Sequence, residues 1–199
     1  LAPLEPFAAY VITQAIQRYG QNERSLFSFL NARGRNSLSE YEGKIYQLQC
    51  CYDYIYYNFY SYLKEANADS MQWSSMQVAI ERVEGQLWET KTDLVDAIKL
   101  VKAIGLLNLF GNASFKMNRE DTALYAKTAL NIENPTGLLK KLEQFKIIRY
   151  ASYKFRYILF DGTDINIEDE ICKAGLVVSR PVNYVDDIRN YCFKKVAPV

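Results

Sequence analysis

The chain has 199 residues, 49% of them hydrophobic and 24% charged, with a formal net charge of +1; this composition is that of a folded protein with a packed core and sets intrinsic disorder aside. A net charge near zero supplies no global attraction to nucleic acid or to an anionic membrane, so any such contact must rest on a local patch. The sequence contains no histidine, which removes the commonest general base, the Ser/His and Cys/His nucleophile pairs and the Cys/His zinc sites.

Pro6 suits the first turn of a helix, and Phe7, Val11, Ile12, Ala15, Ile16 and Tyr19 follow at helical spacing until Gly20. Asn22 then has the chemistry of an N-cap for a short helix carrying Leu26, Phe27, Phe29 and Leu30, and Asn31 to Ser39 has loop composition. Tyr46 to Leu63 contains seven tyrosines. Its alternating Tyr52, Tyr54 and Tyr56 admit a strand, but Leu48, Tyr52, Ile55, Phe59 and Tyr62 hold a helical stripe longer than most strands, which predicts a helix. A further helix is predicted over Ser70 to Glu84, with Trp73, Met76, Ile80 and Val83 on one face.

From Thr90 onward three helices each carry their own start signal. Thr90 and Asp93 have capping-box spacing ahead of Leu94, Ile98, Val101, Ile104 and Leu107, with Gly111 as the stop. Asn118 and Asp121 repeat the device before Leu124 and Leu130, and Asn134 with Pro135 opens a helix whose apolar residues are Leu138, Leu139, Leu142 and Phe145. Two short runs rich in β-branched and aromatic residues follow, Ile147 to Tyr150 and Phe155 to Phe160, joined at Ala151 to Lys154. Helix, helix, helix, hairpin is the order of a winged helix-turn-helix, so a winged-helix module is expected from about Asp93 to Gly162. Short helices are expected beyond it at Asp164 to Cys172 and Asn183 to Lys195.

The four cysteines, Cys50, Cys51, Cys172 and Cys192, include no C-x-x-C spacing and read as buried thiols of a reducing, cytoplasmic compartment. No stretch approaches 18 apolar residues, so no membrane partner is expected. The acidic pairs Asp186 with Asp187 and Asp164 with Glu168 lack the glycine-containing loop of a calcium site and read as solvated surface, and no metal ligands are assigned. The chain opens without methionine and stops at Ala197, Pro198 and Val199 without a closing signal, from which it is expected to be a piece of a longer protein.

Two constellations have functional chemistry. The third helix of the module and the hairpin carry Lys140, Lys141, Lys146, Arg149, Lys154 and Arg156 against the single acid Glu143. A winged helix lays such a helix in the major groove while its wing meets the backbone, which makes Thr136, Lys140, Lys141, Gln144, Arg149, Lys154 and Arg156 candidate nucleic-acid contacts. The competing reading is two solvated faces, with Asp161, Asp164, Glu168, Asp169 and Glu170 cancelling the charge directly after them. The second constellation is Arg24, just inside a predicted helix N-terminus, where backbone N–H groups favour an anion and a guanidinium adds a bidentate phosphate contact. Solvation, or pairing with a carboxylate such as Glu23, is the alternative.

The strings GQNERSLFSFL at 20–30, KAIGLLNLFG at 102–111 and YILFDGTDINIED at 157–169, in this order, resemble the region that follows the nucleotide-binding core in large bacterial ATP-binding proteins of the P-loop superfamily. In that setting Asn22, Glu23 and Arg24 look like the Asn-x-Arg element of the helical lid of AAA+ and STAND ATPases. The resemblance implies nucleotide sensing by Arg24 and Asn22, ATP and magnesium as ligands of the parent protein, and a setting in anti-phage defence. The chain has neither a G-x-x-x-x-G-K-S/T loop nor a strand ending in paired acids, so no catalytic residue, and no cofactor of its own, is assigned to it.

The expected architecture is therefore mainly α: a helical lid-like bundle over 1–88, a winged helix-turn-helix of three helices plus a β-hairpin over 89–163, and a helical tail over 164–199 leading to a further domain. The expected function is a non-catalytic fragment that couples nucleotide state in a missing ATPase core to DNA or to another protein. A free-standing winged-helix DNA-binding regulator and a protein-interaction scaffold built on the tyrosine-rich helix are the alternatives.

Overall fold

A computed structural model describes residues 3–20, 23–31, 35–64, 68–112 and 114–160. Over them the chain is mainly helical, with one two-stranded antiparallel sheet. Helix α1 spans Pro6–Tyr19 and carries the expected proline in its first turn. Its cap is a residue that spacing did not single out. The Glu5 carboxylate, 6% exposed, accepts the free N–H groups of Phe7 at 3.0 Å and Ala8 at 2.9 Å, and it also accepts the Tyr125 hydroxyl at 3.3 Å. Gly20 ends the helix by donating its N–H to the Ile16 carbonyl.

Helix α2 spans Glu23–Asn31 and buries Phe29 edge-on against Tyr46 and Tyr54. The tyrosine-rich segment is helical, as its stripe predicts, but it is not one helix. Tyr46 lies in an isolated parallel bridge to Leu4, its N–H donated to the Pro3 carbonyl at 2.6 Å and its own carbonyl accepting from Glu5 at 3.1 Å. Helix α3 therefore starts at Leu48 and runs to Asn58. The Asn58 side chain donates to the Tyr54 carbonyl at 2.8 Å and competes with the backbone for that acceptor. The chain bends at Phe59, and a short α4, Tyr60–Lys64, follows.

Helix α5 covers Ser70–Glu84, as predicted, with Trp73, Met76, Ala79 and Val83 buried. Helix α6, Lys91–Phe110, has the complete capping box of Thr90 and Asp93 and stops at Gly111. It is buried on all sides along its second half, from Leu100 through Val101, Ile104 and Leu106 to Phe110. Such a helix must be covered by neighbours all round. Helices α1, α3 and α5 cover it from the first half of the chain. Helix α8 (Pro135–Gln144) and strand β2 (Arg156–Leu159) cover it from the second. The expected boundary at 88/89 consequently falls inside one compact unit that extends to Phe160.

At Gly105 the helices α5 and α6 approach so closely that a Cβ would lie 2.5 Å from Cγ and Sδ of Met76. Helix α7, Arg119–Thr128, is capped by Asn118 as predicted, yet it buries Thr122 and Ala126 while Leu124 is 61% exposed. Leu124 faces out because α7 is a thin, mostly polar cover. Strand β1, Ile148–Ala151, pairs with β2 in the register Ile148 to Leu159 through Ala151 to Arg156. The tail expected over 164–199, with Cys172, Cys192 and the two acidic pairs, lies outside the described residues. Cys51 is buried and Cys50 half-buried, both as free thiols. No described helix is long and apolar enough to cross a membrane.

Replacing Glu5 with alanine strips the cap from two amides and leaves the Tyr125 hydroxyl without its acceptor. The variant should lose about 2 kcal/mol of stability in chemical denaturation, and glutamine should rescue little because its NH₂ opposes an N–H donor. Burial is the main force raising the phenol pKa values of Tyr19, Tyr46, Tyr52 and Tyr125 above the ordinary 10.0. The unfolded chain releases these protons first, so the folded state binds more of them and stability must fall as pH climbs past that value. A denaturation midpoint unchanged on moving from neutral pH to well above it would contradict the buried tyrosine core.

Candidate nucleic-acid interface

Asn134 and Pro135 start α8: the Asn134 side chain accepts the Gly137 N–H at 3.0 Å, and the proline occupies the first helical position. Leu138, Leu139 and Leu142 are buried, which fixes the rotation of the helix about its axis. Thr136, Lys140 and Gln144, spaced by four residues, are all exposed and share the opposite side. The hairpin is set three residues later, with Lys146 in the left-handed region at φ 54 to make the turn into β1.

The seven nucleic-acid candidates separate into groups with different environments. Thr136, Lys140, Gln144 and Lys154 are exposed. Lys141 is engaged: its ammonium is 3.0 Å from Glu89 and 5.3 Å from the centre of the Trp88 ring, which itself packs edge-on against Phe145. Arg149 is half-buried on β1. Arg156 points inward, with Nε and Nη1 buried and without a hydrogen-bond partner among the described residues. It lines a cavity of about 20 Å³ together with Asn108, whose Oδ1 is likewise unsatisfied there. Burial lowers the Arg156 pKa, an effect that the neighbouring Tyr153 phenol partly opposes. A guanidinium so placed is a poor phosphate contact, because its donors are directed into the protein.

Arg119, which the sequence reading passed over, organises this region. From the first turn of α7 its guanidinium reaches both oxygens of Glu143 on α8 at 2.9 and 3.1 Å. It donates to the Tyr157 hydroxyl at 3.0 Å and lies over the rings of Tyr150 at 4.5 Å and Tyr157 at 5.5 Å. One side chain thus joins α7, α8 and both strands. Asn108 adds a second tie by donating from α6 to the Tyr157 carbonyl at 3.0 Å. The turn of the hairpin is also more than a linker, since Tyr153 and Phe155 are 61% and 51% exposed and Lys116 lies over the Phe155 ring. The cue in the sequence was the aromatic–lysine–aromatic triplet in the turn; Arg119 had none, because its partners lie 24 to 38 residues away.

Arg24 is exposed in the first turn of α2, has no ion pair among the described residues, and accepts the Ser28 hydroxyl at its carbonyl. Asn22 lies outside the described residues. Among the described residues no cluster of three or more His, Cys, Asp or Glu is placed to hold a metal ion.

Removing the Arg119 side chain should loosen the hairpin. Its side chain is 54% exposed, so the ion pair is screened and the expected global loss is about 1 kcal/mol. The clearer readout is faster amide exchange in β1 and β2, which Arg119→Lys should only partly restore because an ammonium lacks the planar fork. Comparison of the chain with protein-family models, with curated proteins and with solved structures gives no match in any of the three.

Proposed function

We propose that the segment from α6 to β2 is a winged helix-turn-helix, and that the chain is a non-catalytic, nucleic-acid-binding moving part of an ATP-driven P-loop protein. The observation that carries the reading is the exposed stripe Thr136, Lys140 and Gln144 on a helix whose other side is locked into the core. A side chain that projects from a rigid helix can enter a groove without further ordering of the backbone. Lys154 in the hairpin turn and Lys146 before β1 add exposed cations, whereas Lys141 and Arg156 serve the fold. Arg24 is the proposed nucleotide sensor, supported by its exposed position at the start of α2 and by the resemblance of its surroundings to an ATPase lid. ATP and magnesium belong, on this reading, to the missing ATPase core, and anti-phage defence is the setting the resemblance implies.

A second reading, docking to another protein, draws on the exposure of Tyr57, Tyr60 and Tyr62 and of Leu26, Phe27 and Leu30 on α2. The two separate in a titration of this chain with duplex DNA across a range of salt. Lys140→Glu combined with Lys154→Glu should weaken binding at least about tenfold and reduce the slope of log affinity against log salt by about 2. Absence of duplex binding at low salt would favour the protein reading. In the polypeptide that carries the phosphate loop, Arg24→Glu should lower ATP turnover or nucleotide affinity about tenfold, and unchanged values of both would remove the sensing role.

A further inference from the structure

The turn between β1 and β2 closes on Phe155, whose backbone is left-handed at φ 50, ψ 42. Glycine takes this conformation freely, and a bulky side chain takes it at a cost. The conformation is held by the backbone, since the Phe155 carbonyl accepts the Met117 N–H at 2.9 Å and its own N–H donates to Ser152. The ring gains little in return, because the residue is 51% exposed and its neighbour Tyr153 61%. Strain carried by an exposed aromatic at a hairpin tip points outward, to something the ring meets.

The charge around the tip says what kind of partner that is. The Lys116 ammonium sits 5.1 Å from the centre of the Phe155 ring, and the Lys154 ammonium 5.3 Å from that of Tyr153. The two stretches that form the tip, 114–118 and 152–156, carry two exposed lysines, Lys116 and Lys154, and no acidic residue. Two exposed rings, each with an ammonium over it, match alternating bases and phosphates: the bases stack on the rings as the ammonium groups swing to the backbone phosphates. In an intact duplex the bases are already stacked on each other, so rings can reach them only where pairing ends.

We propose that the hairpin tip binds unpaired bases, in a single strand or where a strand leaves a duplex, through stacking on Tyr153 and Phe155 with Lys116 and Lys154 at the flanking phosphates. This rests on the nucleic-acid reading above and names its substrate class: a duplex bearing an unpaired overhang, which gives α8 its groove and the tip its bases.

The test compares two oligonucleotides on the full chain, a duplex with a single-stranded overhang carrying fluorescent aminopurine and the same duplex closed at both ends by base-free ethylene glycol linkers into a dumbbell without unpaired bases. The chain should bind the overhang duplex more tightly and quench the aminopurine. Phe155→Gly combined with Tyr153→Ser should weaken overhang binding about tenfold and abolish the quenching, with dumbbell affinity unchanged. Because glycine relieves the left-handed backbone, Phe155→Gly alone should melt at or above the temperature of the parent, which separates lost stacking from lost folding. Equal affinity for the two oligonucleotides, or equal loss on both in the double variant, overturns the base-stacking proposal and leaves duplex binding standing. Binding to neither overturns both. Capture by phosphatidylserine vesicles that the double variant loses, with overhang binding unaltered, would assign the tip to a membrane surface and overturn the proposal as well.

Discussion

Helix α6 is the constraint on which the arrangement depends. From Leu100 to Phe110 it has almost no exposed face, and a helix apolar all round cannot be stable unless other elements surround it. Helices α1, α3 and α5 from one half and α8 with strand β2 from the other are those elements, so neither half of the described chain completes its core without the other. Gly105 shows how close the fit is: the space a methyl group would need is already filled by Met76. The hydrogen bonds from Tyr10 to the Phe110 carbonyl and from Asn108 to the Tyr157 carbonyl then fix neighbours from opposite ends of the chain to the same two turns.

Local chemistry was the legible part. Pro6, the box of Thr90 with Asp93, Asn118 and Asn134 each start a helix where the sequence places it, because a cap acts within three residues of itself. The hairpin likewise followed from two short β-rich runs. What was illegible depended on contacts distant in sequence. Tyr46 leaves the expected helix to bridge Leu4, Leu124 faces solvent because α7 is only a thin cover, and the supposed lid and winged module share one core. The candidate face divides along the same line. The i, i+4 arithmetic that put Thr136, Lys140 and Gln144 together needs only α8, whereas the engagement of Lys141 by Glu89 and the inward turn of Arg156 require the neighbours to be in place.

The distribution of aromatic residues shows two uses of one chemistry. Inside, Tyr19, Phe59, Trp73 and Phe110 meet at tilted and edge-on angles, and Tyr19 also links the Asp69 carboxylate to the Trp73 indole. Such clusters bury large area while satisfying each polar tip. Outside, the rings of Tyr153 and Phe155 lie beside lysines and remain accessible. Tyr157, between these regimes, is buried in the core and accepts a hydrogen bond from Arg119 at its hydroxyl.

Asn108 and Phe110, two residues apart on α6, project from nearly opposite sides of the helix and touch different parts of the molecule. Phe110 meets α1 through Tyr10, Arg18 and Tyr19, and Asn108 holds β2. An interior packed to crystal-like density has little compressibility, and even a methylene-sized gap costs about 0.8 kcal/mol. A displacement at the end of α1 must therefore either carry α6 along or open a void beside Phe110. Two residues of one helix thus hold α1 on one side and the hairpin on the other.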